Sequence, residues 1–349
     1  MVGNALIWRL ACWLWVGLPI LGIVPQVPVR LAVQWLMILA SIVVLGVGLL
    51  SQRRDAKTPF GWMLLACVWL ACLHWRQPTM ALAWVSQVAL ILGSAAILAS
   101  HGEARWLRQA VIACAWVQVP VLILQWYQVP LPWAHLPAPW QMAGTVGSIR
   151  PASILFGLAC LWSPGWTAWV LGIVACLTGS GTVMPVVVLR QWWPYRKKAW
   201  GWLAGLGLVA VGARFTPWHL ALTERLDTWQ TWWWSMSGEG FRVFPWRGAF
   251  ADDTVFGRAM AWRDSHNVWL DWTGRFGLPG LVVLGVLLVW LWHRSKTDAQ
   301  RWTLLFALWV SCWQSFEQFP VLVIPLLVWL IELSEGGRVC GSASNAGAT

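Results

Sequence analysis

Apolar stretches alternate with short polar breaks along almost the whole chain. They fall at about 5–24, 31–50, 60–75, 80–99, 106–126, 151–163, 166–190, 199–213, 276–292, 302–317 and 319–333. Each approaches the ~20 residues that a membrane-crossing helix needs, or falls somewhat short of it. The breaks carry the charge. Arg53, Arg54 and Lys57 occupy one; Arg105 and Arg108 another; Arg190, Arg196, Lys197 and Lys198 a third; Arg294, Lys296 and Arg301 a fourth. Basic loops favour the cytoplasmic side of a membrane, so these four should share a face. That parity fails if 166–190 crosses as one span. Thr178-Gly179-Ser180-Gly181, followed by Pro185, predicts a break where the helix turns or re-enters, its freed backbone groups satisfied by protein or water. The pattern therefore predicts an all-α fold: a polytopic transmembrane helical bundle of about 12 spans, both termini inside, with one large outward loop.

Residues 1–213 are then expected to form an N-terminal transmembrane bundle, 214–275 the outer loop, 276–333 the C-terminal transmembrane helices, and 334–349 a disordered, Gly/Ser/Ala-rich cytoplasmic tail. The segment 127–150 is also expected outside. Met1 to Arg9 leads directly into an apolar stretch with no small-residue cleavage site, so the first span is expected to stay.

Composition sharpens this picture. The 349 residues are 59% hydrophobic and 11% charged, with a mean hydropathy of +0.62. Soluble domains average about 25% charged residues, so a soluble enzyme is excluded. The net charge of +11 is explained by cytoplasmic loops and attraction to anionic membrane lipid rather than by nucleic acid. The eight cysteines show no CxxC spacing. Most lie inside apolar stretches, where they read as small apolar fillers. Tryptophan is abundant, at 35 residues, and serves interfacial belts and packing, with a minority near the polar loop able to stack on a ligand.

The loop 214–275 is where chemistry is expected. It holds seven arginines (214, 225, 242, 247, 258, 263, 275), no lysine, and seven of the chain's 13 acids. Thr223 to Trp234 reads as a helix lying at the interface, and Ser265 to Trp272 as the start of a helix feeding the next span, with Pro279 near its beginning. Arg225 and Trp229 stand at i and i+4, on one helical face. An interfacial Arg225 partnered by Glu224 or Asp227 accounts for the pattern; so does a phosphate clamp, because guanidinium offers a planar fork of donors and keeps its proton. His266-Asn267 precedes the next span. It reads either as part of a helix cap, with Ser265 or Asp264 capping, or as a general base in His266 with Asn267 orienting substrate. Arg150 and Arg214, at the ends of outward-facing spans, either snorkel to headgroups or join Arg225. No His/Cys/carboxylate spacing suggests a zinc site.

These residues resemble the bacterial O-antigen ligase and polymerase superfamily. The resemblance rests on Arg225-x-x-x-Trp229 within a large loop, on His266-Asn267 thereafter, and on Gly277-x-x-Gly280 in the following apolar helix. It is concentrated in about 180–290. The chain departs from the family pattern at Gly147-Ser148-Ile149-Arg150-Pro151, at Thr178-Gly179-Ser180-Gly181, which lacks the usual arginine, and at Arg275, where an acid is usual. The resemblance implies an inner-membrane glycosyltransferase with its site facing the periplasm. It would move a glycan from an undecaprenyl-pyrophosphate carrier to an acceptor hydroxyl, without metal or nucleotide cofactor. The acceptor class is a second lipid-linked glycan, a lipid A core or a protein Ser/Thr. Arg225 would hold the pyrophosphate, assisted by Arg214 or Arg150, and His266 would act as base or orient the acceptor. Trp229 and Trp269 would contact sugar or lipid.

Two other classes fit the same sequence: a transporter or flippase of an anionic lipid-linked substrate, and a non-catalytic membrane assembly protein. Broken spans are common in transporters, but that reading also predicts mid-membrane charge and an inverted repeat, and the sequence has neither.

Overall fold

The computed structural model describes residues 104–130, 149–178, 183–195 and 267–313, together with scattered positions within 9–17, 197–210 and 226–233. Among the described residues the fold is all helical, and no strand occurs. The elements are α1 (Ala104–Trp126), α2 (Ile149–Trp162), α3 (Gly165–Leu177), α4 (Met184–Trp192), a single 3-10 turn at Trp193–Tyr195, α5 (Val268–Arg294) and α6 (Asp298–Trp313). The apolar stretches 31–50, 60–75, 80–99 and 319–333 lie outside the described residues, as do the tail 334–349 and most of the loop 214–275.

Residues 105–126 of α1 make a helix of 22 residues, long and apolar enough to cross a membrane. At 1.5 Å per residue it extends about 33 Å. Its interior stripe is Leu107, Ala110, Val111, Cys114, Ala115, Gln118, Leu122 and Gln125, all nearly inaccessible. These recur at three- and four-residue steps, so they share one face. Apolar residues, Val117 and Ile123 among them, also point outward, as suits a helix whose surroundings are themselves apolar, while Ala110, Cys114 and Ala115 inside let backbones approach closely. On α5 the same logic leaves Val282, Val286 and Val289 exposed along one stripe.

The predicted break of the stretch 166–190 is present. Helix α3 stops at Leu177, where the Thr178 N–H reaches Val174 O at 3.0 Å and its hydroxyl donates to Ala175 O at 2.6 Å. Helix α4 starts at Met184 with Pro185 in its first turn, where a missing N–H costs nothing. At 13 and 9 residues the two are about 20 and 14 Å long, each short of the ~30 Å hydrocarbon layer. They pack back to back through Cys176, Met184 and Val188 and through Gly172. A Cβ on Gly172 would lie 3.2 Å from Val187 and 3.3 Å from Cys160.

Long-range contacts fix the directions. Gly157 of α2 faces Phe306 of α6, and Trp162 Nε1 donates to Thr303 Oγ1 at 3.2 Å, so α2 and α6 are antiparallel. Gly157 also meets Val183, and Gln191 Nε2 donates to Cys160 Sγ at 2.9 Å, so α4 runs alongside α2 in the same sense. Trp169 meets Tyr195 at 5.9 Å and Trp193 meets Trp302 at 6.1 Å between ring centroids. Trp116 of α1 meets Trp166, at the turn joining α2 to α3, at 6.0 Å. Arg190, Lys197, Lys198, Arg294, Lys296 and Arg301 therefore gather at one end of the bundle. The starts of α2 and α5 and the end of α6 lie at the other.

The core between them is apolar, centred on Leu107, Leu155, Phe156, Leu158, Leu171 and Phe306. Cys12 and Val16 of the N-terminal stretch enter it, and Arg9 lies over the Trp106 ring at 4.2 Å.

Candidate functional site

The end away from the basic residues is built by α5 and α6. Helix α5 begins at Val268 because Asn267 caps it. The Asn267 backbone is extended (φ −140°, ψ 111°), and its Oδ1 accepts from the Trp269 and Leu270 N–H groups at 2.9 and 3.3 Å. A side-chain oxygen there satisfies amides that have no helical partner. The cap is Asn267 itself, two residues after Ser265 and three after Asp264, the caps that the sequence suggested. Its carbonyl oxygen is committed to the helix start and the residue is 8% exposed. The Thr273 hydroxyl donates to Trp269 O, tightening the second turn.

The helix then kinks. Gly277 has φ 74° and ψ −173°, a conformation essentially restricted to glycine. Pro279 follows, so no backbone N–H is stranded there. Trp272 Nε1 bridges the kink to Gly280 O at 3.0 Å. The Gly277-x-x-Gly280 pattern thus has a backbone reason: one glycine makes the bend, and the carbonyl of the other receives the indole that braces it.

Two separate stretches meet the last turn of α6. Trp269, just after the cap, approaches the Cys312 thiol, although its buried indole N–H makes no well-directed hydrogen bond. Trp229 stacks at a tilt on Trp313, ring centroids 5.5 Å apart, and Trp313 lies 5.6 Å from Trp309. Leu226, Trp229, Gln230 and Trp233 are helical, in accord with the helix expected over Thr223–Trp234. Leu226 and Trp233 are about half exposed, while Trp229 turns inward.

Of the residues singled out from sequence, Asn267, Trp229 and Trp269 are brought together at this end. Arg150 lies in the first turn of α2, of which the backbone is described. Seven residues separate Arg150 from Gly157, and seven separate Phe306 from Trp313. Both intervals rise about 10 Å in antiparallel helices, which puts the Arg150 backbone level with Trp313. Arg214, Arg225 and His266 lie outside the described residues. Trp309, Cys312 and Trp313 were not singled out. They sit in an apolar stretch with no polar signal, and their neighbours stand 43 residues away (Trp269 to Cys312) and 84 away (Trp229 to Trp313).

No family model, no curated protein and no solved structure matches this chain.

Proposed function

We propose that the chain is a multi-pass protein of the bacterial inner membrane that transfers a glycan from an undecaprenyl-pyrophosphate carrier to an acceptor hydroxyl on its periplasmic face. Membrane residence is supported by the composition, by the long apolar helix Arg105–Trp126 and by the exposed valine stripe of α5. A multi-span topology draws support from two basic loops, the one after α4 and the one between α5 and α6, sharing one end, and from the α3–α4 pair leaving and returning to that end.

One observation carries the activity. The stretch holding Arg225 and the stretch holding His266 are far apart in sequence, yet Trp229 of the first and Trp269 of the second both settle on the last turn of α6, away from the basic end. In this reading the acceptor oxygen attacks the anomeric carbon of the donor sugar, and His266 takes the hydroxyl proton. The bond from that carbon to the pyrophosphate oxygen breaks, and the electron pair leaves with the carrier diphosphate. Positive charge fixed where the diphosphate develops lowers the barrier, and Arg225, with Arg214 or Arg150, supplies it. A site at the membrane surface suits a donor whose lipid tail stays in the bilayer while its sugars stand in water.

A transporter reading draws on the α3–α4 hairpin, because broken helices line transport sites. Reconstitution separates the two. Protein in liposomes with a lipid-pyrophosphate glycan and candidate acceptors should release carrier pyrophosphate and form a glycosylated acceptor. Movement of the lipid-linked glycan between leaflets, without carrier release, would favour transport and end the transferase proposal.

A further inference from the structure

We propose that the basic end of the bundle is a seat for the phosphates of acidic phospholipids, built by arginine–tryptophan pairs on the turn between α5 and α6. The inference rests on the membrane part of the preceding proposal and is independent of the transferase part.

Arg294 lies over the Trp290 ring at 5.1 Å, and Arg301 over the Trp292 ring at 5.9 Å. Both rings are 39% exposed at the rim of the bundle, the level at which indoles meet lipid headgroups. Stacking on a ring holds a guanidinium flat, and the planar fork of donors along the edge of such a group, as at Arg301, matches phosphate oxygens. Lys296 stands between the two arginines in the turn.

The turn itself is rigid. Gln300 Oε1 accepts from the Lys296 and Thr297 N–H groups at 2.8 and 3.0 Å, and Thr297 Oγ1 accepts from the Gln300 N–H at 3.3 Å. This reciprocal cap consumes backbone donors at the start of α6, so binding falls to the side chains. Asp298 is the one acid among the described residues of this end, against six described cations. Arg190, at the same end, keeps a buried Nε without a hydrogen-bond partner. A buried N–H left without an acceptor is costly, and the acceptor that a bilayer supplies at this depth is a lipid phosphate.

The test uses full-length protein in a neutral detergent, with phosphatidylglycerol or phosphatidylcholine added and the unfolding midpoint measured. Phosphatidylglycerol should raise the midpoint by several degrees and phosphatidylcholine should not. The increment should shrink as salt rises from about 0.05 to 0.5 M, since screening acts on exposed charge. The R294Q/K296Q/R301Q variant should lose most of the increment. Should that variant not fold, R301Q alone, at an exposed side chain, should lower it. Equal response to both lipids, a salt-independent increment, or an unchanged response in the variants overturns the proposal, as does inorganic phosphate reproducing the whole effect. A chain that stays dispersed without detergent would sink the membrane reading as well. Failure of glycan transfer would leave this inference standing.

Discussion

The indole of Trp229 stands 5.5 Å from that of Trp313, and this pair ties the stretch around Trp229 to the end of α6. Tilted aromatic pairs contribute ~0.5–1.5 kcal/mol beyond the area they bury. If the pair positions the segment carrying Arg225, Trp229→Ala should raise the apparent KM for the lipid-linked donor by about 2- to 10-fold. Trp229→Phe should restore most of it. Trp313→Ala should act alike, and the double variant should fall well short of the product of the two, because both remove one interaction. Additive losses would show that the rings act separately.

Asn267→Ala removes a side-chain cap and should destabilise the protein by ~0.5–2 kcal/mol. Asn267→Ser and Asn267→Asp cap equally well and should restore both the unfolding midpoint and transfer. Were the amide required to orient substrate, the Asp variant would fold normally yet fail in transfer.

Gly277 occupies backbone space closed to other residues. Gly277→Ala should cost ~1–3 kcal/mol, read as a lowered unfolding midpoint in detergent. Gly285, eight residues along the same helix with nothing within 4 Å of an added Cβ, is the control. Gly285→Ala should be neutral or stabilise slightly, since alanine favours helix.

Gly157 of α2 faces Phe306 of α6 and Val183, the residue that precedes α4. A Cβ there would lie 2.5 Å from Val183 Cγ1 and 2.7 Å from Phe306 Cε2. Gly157→Ala should destabilise by ~1–3 kcal/mol through overpacking, and Phe306→Leu should recover part of the loss. Gly172→Ala, whose neighbours stand at 3.2 and 3.3 Å, should cost less.

Much of the helical framework is legible in the sequence because composition and loop charge both depend on local runs. The break after Leu177 follows from Thr178-Gly179-Ser180-Gly181 and Pro185, residues that cannot continue a helix without loss, combined with the charge of the 190–198 loop. Other features escape local reading. The helix start slips from Ser265 or Asp264 to Asn267 because several adjacent residues can all cap, and only packing selects among them. The Trp309–Trp313 platform is silent for a different reason. Tryptophan is so frequent in this chain that no single one stands out, and the partners arrive from distant segments. Gly277 is visible in the sequence as half of a Gly-x-x-Gly pattern, but its positive φ is a property of the bent helix, not of the residues beside it.

The central claim is most directly tested by measuring glycan transfer, with release of undecaprenyl pyrophosphate, for wild type, Arg225→Ala and His266→Ala in the same liposomes. The account predicts that wild type transfers and that both alanine variants, folded and inserted normally, lose at least 100-fold, on the order of what one positioned charge or one general base contributes. Transfer at the wild-type rate by either variant would contradict it.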